Sequence, residues 1–370
     1  MLTDKDFKKL EKQASKLYSN LEIEIIKEIA ERIANVGYMN TVAYNNTIIL
    51  QEMGYLYQDI IRLVAEYNNA NIEEIQKIFE QAGITSLKRD DLIYKQAGIT
   101  TTAISDTLKS VINRRADNTI YDLIRLTGTT ASTGQIQFIE GINLAYLQTS
   151  TGVKSYSQAI TDTVKNISKN GAYIQYPSGA RRSIESAVRM NILTSVNQMS
   201  AELQLERGKE YGWDLYEVSA HGGARPEHAE WQGKIYTEEG LYEKCGYGTA
   251  LGLCGINCRH TFYPYYKGST KAYTNKELNK YRNAKVSYNG EEISEYEASQ
   301  IQRSYERQIR QNKKDIAGLE AIKNNEIDTK DELRNAKNKL ESNNAKLNDF
   351  LEQTGFKKDY SRLKIWFNCL

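Results

Sequence analysis

Residues 219–268 read SAHGGARPEHAEWQGKIYTEEGLYEKCGYGTALGLCGINCRHTFYPYYKG, and this stretch decides the fold class. Glycines, histidines, cysteines and aromatics here replace the charged, helix-forming texture of the rest of the chain. Gly222, Gly223, Gly233, Gly246, Gly248, Gly252 and Gly255 permit positive φ or close backbone approach, the needs of short strands and irregular turns. Trp231, Tyr236, Tyr247, Phe262, Tyr263 and Tyr265 supply a core whose hydroxyls can reach partners at its edge. The expectation is a compact α+β domain set among helices.

The same stretch holds all three histidines of the chain, His221, His228 and His260, and three of its four cysteines, Cys245, Cys254 and Cys258. Cys254-x3-Cys258-x-His260 has the close spacing with which a tight loop presents several ligands to one cation. Zn²⁺ takes thiolates and imidazoles in a tetrahedron, so His221, His228, Cys254, Cys258 and His260 are the candidate metal ligands, with zinc as a structural ion. Cys245 is left out of that set, and Cys369 stands far away. The spacings fit no standard finger. The other reading has the histidines hydrogen-bonded to backbone and the cysteines as small apolar fillers, with no cofactor. Catalytic readings lack partners. Cys258 with His228 or His260 could form a thiol–imidazole pair, but no third, orienting residue is identifiable. Asn257-Cys258-Arg259-His260 has the look of an HNH-type nuclease, yet Glu227, next to His228, is the only local carboxylate worth naming and the paired ligands of that site are missing.

Outward from this stretch the pattern is mostly helical. Residues 171–179, GAYIQYPSG, are strand-like and lead into a long helix beginning near Arg181. Along it Ile184, Val188, Ile192, Val196, Met199 and Leu203 form one apolar stripe, expected to be core. Residues 213–219, WDLYEVS, read as a strand. In the first third, Leu10, Leu17, Leu21, Ile25 and Ile29 mark an amphipathic helix, and further helices are expected over 46–67, 71–82, 103–126 and 135–149. Asn71 reads as a helix start, and Ser86–Thr102 and Thr127–Gly134 as breaks.

Asn289-Gly290, between short alternating runs, predicts a type I′ hairpin over Val286–Ile293. Ser294 with Glu297, and Thr329 with Glu332, read as capping boxes that open two helices, one running to about Ile322 and the other to about Gln353, where Gly355 ends it. Ile301, Tyr305, Ile309, Ile316 and Leu319 face Leu333, Ala336, Leu340, Leu347 and Phe350 in a narrow seam, so this helical hairpin is expected to project from the body or pack on a partner. The division that follows is a helical region over 1–170, an α+β domain over 171–293, and a helical hairpin with a tail over 294–370.

Composition excludes several classes. In 370 residues, 49 basic side chains balance 47 acidic ones to a net charge of +2, without a block of one sign, so a dedicated nucleic-acid surface is not expected. The charged start MLTDKDFKKL and the absence of a long apolar run argue against a signal peptide and a membrane span, which places the new chain in the cytoplasm. Four cysteines are too few for a disulfide scaffold. Three prolines leave room for long helices.

One family is visible in these residues. His221-Gly-Gly-Ala-Arg225-Pro226-Glu-His228-Ala-Glu-Trp231-Gln232-Gly233-Lys234, Tyr247-Gly248-Thr249, Gly252-Leu253-Cys254-Gly255-Ile256-Asn257-Cys258-Arg259-His260 and Tyr263-Pro264 resemble the phage minor capsid protein 2 family, related to the minor head proteins of Mu-like phages. Arg182 to Arg189 with Thr194 and Asn197, Tyr296 to Arg303 with Glu306 and Arg310, and Gly355-Phe356 to Arg362 fit it too. The resemblance covers roughly 170–365, and the first 150 or so residues match less distinctly.

The resemblance implies a structural protein of a tailed phage or prophage, without an active site. It would enter the procapsid in few copies through the portal protein, the scaffold or the major capsid protein, assist head assembly or DNA delivery, and reside inside the virion head after a stage in the host cytoplasm. Packaged DNA could be touched without a dedicated site. The alternative is a prophage-associated effector, or a zinc-dependent nuclease, carried on a Mu-type head domain. Against the effector, the N-terminal region has no histidine, no cysteine and no glycine-rich phosphate cradle.

Overall fold

A computed structural model describes residues 1–36, 42–323 and 327–363. Cys369 and the end of the C-terminal tail lie outside the described residues. Two long helices set the frame: α3, Val42–Gln96, and α4, Asp106–Ser150. They run antiparallel, pairing Gly83 with Ile112, Asn68 with Thr127 and Gly134 with Ile60. Before them come α1, Asp4–Leu17, and α2, Leu21–Val36; after them come α5, Tyr156–Asn170, and α6, Ile184–Glu210.

Several expected breaks are absent because polar residues there bond locally within a helix. Thr127–Gly134 lies inside α4, where Thr127 Oγ1 donates to Leu123 O at 2.7 Å and Thr130 Oγ1 to Thr127 O at 2.6 Å. Gly134 is there for approach: a Cβ on it would sit 2.6 Å from Ile60 Cδ1 of α3. Asn71 is not a helix start either. Its amide, in the middle of α3, donates to Leu17 O at 2.8 Å and Tyr67 O at 2.7 Å and so caps the carbonyl end of α1. The helix also runs through Ser86, and the real connection is 97–105. Conversely, the stripe from Leu10 to Ile29 is two helices, turning at Tyr18–Asn20.

The main core lies between these helices. Ile25, Ile29, Ile60, Phe138, Val164 and the whole expected stripe of α6, Ile184 through Leu203, are buried in it. The strand-like GAYIQYPSG forms only β1, Ile174–Gln175, paired antiparallel with β2, Arg181–Arg182, so α6 begins at Ile184 behind its Ser183 cap rather than at Arg181.

A second, smaller core gathers around a three-stranded antiparallel sheet. Its strands are β3, Tyr216–Val218, β4, Ile235–Tyr236, and β5, Phe262–Pro264, in the order β4-β3-β5. Tyr216 pairs with Tyr236 on one side and Pro264 on the other. Short helices α7, Pro226–Ala229, and α8, Glu238–Glu243, fill the connections. Tyr216, Val218, Trp231, Leu241, Leu253 and Phe262 pack together with Ala201 and Leu205 of α6, so the long helix serves both cores.

The C-terminal part opens with α9, Asn275–Arg282, and the hairpin of β6, Lys285–Tyr288, and β7, Glu291–Ser294. Asn289 and Gly290 have φ of 51° and 83°, as a type I′ turn requires. Helix α10, Glu295–Ala321, carries the expected Ser294–Glu297 capping box, and α11, Lys330–Thr354, ends at Gly355 with φ 71°. Two expectations fail here. Thr329 makes no side-chain cap, because its backbone (φ −108°, ψ 3°) lacks the extended conformation of a capping residue, and Glu332 accepts from Lys165 of α5 at 2.7 Å instead of reaching back to it. The hairpin also does not project freely: Ile316, Leu319 and Ala336 enter the main core, and buried Lys314 pairs with Glu22 of α2. A short α12, Tyr360–Leu363, follows.

Candidate functional site

The histidine and cysteine residues meet where α7, the loop before β5 and α6 converge. Pro226 starts α7 with its fixed φ, and Arg225 Nη2, donating to Ile256 O at 2.8 Å, ties that turn to the cysteine loop. The loop folds tightly because Gly255 lies under the chain: a Cβ there would be 2.5 Å from Ala250 O. Cys254 and Asn257 take the left-handed region, with φ of 59° and 56°. From below, Asn197 of α6 donates its amide to Cys258 O at 3.2 Å and His260 O at 3.1 Å, fixing the loop on the long helix.

Three of the five candidate ligands come together. Cys258 Sγ lies 3.7 Å from His228 Nδ1 and 3.7 Å from His260 Nδ1, and the three ligand atoms are within 4.8 Å of one another. All three residues are buried. His221 is next to the group without entering it: its ring stacks on His260 at 4.3 Å, and its Nδ1 faces Gly222 O at 2.8 Å. Cys254 turns its thiol toward His260 O at 3.5 Å and packs in the second core. Trp231 backs the cluster, its ring 4.6 Å from His228 and 4.8 Å from His260.

Each clustered imidazole is held at its far nitrogen. His228 Nε2 donates to Leu251 O at 2.7 Å, and His260 Nε2 to Gln232 Oε1 at 2.9 Å. Gln232 Oε1 also accepts from the His221 backbone N–H at 3.1 Å, which identifies that end of the amide as oxygen. Burial pushes the pKa of His228 down and that of His260 well down, the latter reinforced by His221, His228 and Arg225. Burial likewise pushes the Cys258 thiol up. The cluster without an ion thus favours neutral imidazoles and a neutral thiol. A nucleophilic cysteine needs the opposite shift.

Among the described residues no carboxylate joins the group, and Glu227 is exposed on the outer side of α7. Gln232, Asn197 and Leu251 complete the site although metal-ligand residue types do not include them. The first two carry a signal in their side chains, whereas Leu251 acts through a carbonyl that residue identity does not reveal.

A family model described as phage minor capsid protein 2 matches residues 2–352. The match takes in the N-terminal helices, where the resemblance is least distinct, and stops short of Gly355–Arg362. A structural protein of Lactococcus phage LL-H is 24% identical over 368 residues, covering 93% of this chain and 94% of its own length. A structural protein of Lactococcus phage mv4 is 36% identical over 124 residues, 32% of this chain and 86% of its own. No solved structure matches the chain. The helical frame, the small sheet with its His–Cys loop and a family match across nearly all described elements lead to one conclusion: the chain belongs to the phage minor capsid protein 2 family.

Proposed function

We propose that the protein is a non-enzymatic component of the phage head that enters the procapsid by contact with the portal protein, the scaffold or the major capsid protein, and assists head assembly or DNA delivery. The observation that carries this reading is the family match over residues 2–352, joined to a full-length relative that is itself a phage structural protein. On this reading the protein passes through the host cytoplasm and ends inside the virion. No helix among the described residues is long and apolar enough to cross a membrane.

The surface fits docking better than catalysis. Helices α3 and α4 expose Leu50, Tyr55, Leu92, Tyr121 and Leu147, apolar groups beyond what the main core uses. Such ridges on long helices suit the grooves of other helices. The α+β part over 171–293 would hold the helical region 1–170 and the hairpin over 294–370 in fixed relation, with α6 as the shared strut.

The test is to express the phage's portal, scaffold and major capsid genes with a tagged copy of this protein, isolate sedimenting procapsids, and analyse purified virions by mass spectrometry. Co-sedimentation with heads and presence in virions is the expected result. A tagged protein that stays in the soluble fraction while heads form, and is absent from virions, overturns the proposal in favour of an effector.

A further inference from the structure

We propose that His228 Nδ1, His260 Nδ1 and Cys258 Sγ form a binding site for one zinc-class divalent cation, which clamps the loop before β5 to α7 behind Trp231. The inference stands apart from the role in the head, since it concerns only what these side chains bind.

The geometry is the first argument. Zn–S of about 2.3 Å and Zn–N of about 2.0 Å at a tetrahedral angle require sulfur–nitrogen separations of roughly 3.5 Å. The structure has 3.7 Å on both sides of Cys258 Sγ. The donor set, one thiolate and two imidazoles, suits a borderline-soft ion and not Mg²⁺ or Ca²⁺, which take oxygen.

The hydrogen count is the second argument. A carbonyl only accepts, so Leu251 O obliges His228 to carry its proton on Nε2. Gln232 Oε1 imposes the same on His260. Both Nδ1 atoms are then bare lone pairs aimed at one sulfur, and a single S–H can satisfy only one of them. The other is a buried acceptor lacking a donor, which is costly. A cation answers all three atoms at once: Cys258 releases its proton to solvent, and its thiolate and both Nδ1 lone pairs coordinate. Oxygen acceptors on the far nitrogen are also how metal-bound histidines are oriented in general.

The set is specific. His221 stands outside the set, its ring stacked on His260 and its Nδ1 held by Gly222 O, and Cys254 does so because its sulfur is turned to the His260 carbonyl. No fourth protein ligand joins among the described residues, so the remaining tetrahedral position falls to solvent.

The experiment uses the full chain, purified with chelator and then titrated with Co²⁺ as an optical substitute for zinc. The expected result is about one cobalt per chain, with tetrahedral visible bands and a thiolate-to-cobalt charge-transfer band in the near ultraviolet. Cys258→Ser removes the charge-transfer band, whereas Cys254→Ser, Cys245→Ser and His221→Gln keep it. Gln232→Met, which frees the far nitrogen of His260, weakens binding by about 10- to 100-fold with the far-ultraviolet circular dichroism unchanged. A wild-type chain with native circular dichroism and no thiolate band overturns the proposal, whatever the variants do. So does a band that survives in a folded Cys258→Ser chain or disappears in Cys254→Ser. Virion incorporation is a separate readout, so failure here leaves the head assignment standing, and the reverse.

Discussion

Arg259, the residue after Cys258, donates from Nη2 to Oε2 of Glu11 at 3.2 Å across 248 positions of sequence. Glu11 is buried in α1, and the same carboxylate has Arg189 of α6 at 3.9 Å and pairs with Arg362 of α12. One acidic side chain therefore joins the first helix, the shared strut, the cysteine loop and the C-terminal segment.

Removing that carboxylate takes Arg259's ion-pair partner and leaves the mostly buried Arg189 and Arg362 with one carboxylate each, Glu185 and Asp359, in a dry setting that Glu11 helps to neutralise. Glu11→Ala is expected to cost about 3–5 kcal/mol, as loss of one partner in a buried ion pair does. Arg259→Ala, at the more exposed end of the network, is expected to cost about 1 kcal/mol or less. Urea denaturation of both variants checks the order, and equal costs would mean that the network does not depend on Glu11.

Two glycines of α4 are expected to respond with opposite signs. Nothing lies within 4 Å of a Cβ built on Gly128, so Gly128→Ala relieves a mid-helix glycine and stabilises by about 0.4–1 kcal/mol. A Cβ on Gly134 would lie 2.6 Å from Ile60 Cδ1 of α3, so Gly134→Val overpacks the contact and costs about 1–3 kcal/mol. Thermal melts of the two single variants decide the matter.

Acid should destabilise the fold through its paired carboxylates. Glu185 is buried, which by itself raises its pKa, but Arg310 at 2.8 Å and Arg189 at 2.6 Å outweigh burial and hold it below the ordinary range. For Asp6 burial acts upward as well, and hydrogen bonds from Arg89 and Thr3 pull the carboxyl down to about 2. A depressed folded pKa contributes stability that is complete above the unfolded value, near 4, and is lost as pH falls through the folded value. The melting temperature is therefore expected to fall between pH 5 and about pH 2, more shallowly in Glu185→Gln and Asp6→Asn than in the parent. Parallel curves for parent and variants would show that other carboxylates set the acid limit.

How much of this was legible in the sequence depended on whether the signal was local. The Asn289-Gly290 turn, the Ser294–Glu297 cap, the Gly355 stop and the stripe from Ile184 to Leu203 are matters of spacing along one element, and the structure has them as read. Thr127–Gly134 misled because threonine hydroxyls that suggest a loop can instead bond back to the helix's own carbonyls, and because a glycine needed for contact with Ile60 looks like a breaker. Glu332 misled because Lys165, far off in sequence, competes for it. In the candidate site the density of His and Cys marked the place. Which three of them converge depends on ring stacking at His221 and the left-handed turn at Cys254, and spacing carries neither.

Trp231 tests whether the second core is held by packing or by its polar cluster. Its ring is buried in the core of Tyr216, Val218 and Phe262, tilted against His228 and edge-on to His260. Truncation removes the largest side chain of that small core, and the backbone around it, fixed by the glycine turns and by β3, has little freedom to collapse into the space. Trp231→Ala is therefore expected to cost about 3–5 kcal/mol, the usual penalty for an aromatic-to-alanine change in a core. A second core of this size has few other apolar groups to absorb that loss, so the sheet should open before the main helical core does. Hydrogen exchange read by mass spectrometry gives the distinction: in the variant, peptides from 216–264 are expected to lose protection while those of α3 and α4 keep theirs. Because α6 serves both cores, its second half, around Ala201 and Leu205, should follow the sheet and its first half the helices. Uniform loss of protection across α3, α4 and the sheet would mean that the two cores unfold as one unit and that Trp231 stabilises the whole molecule.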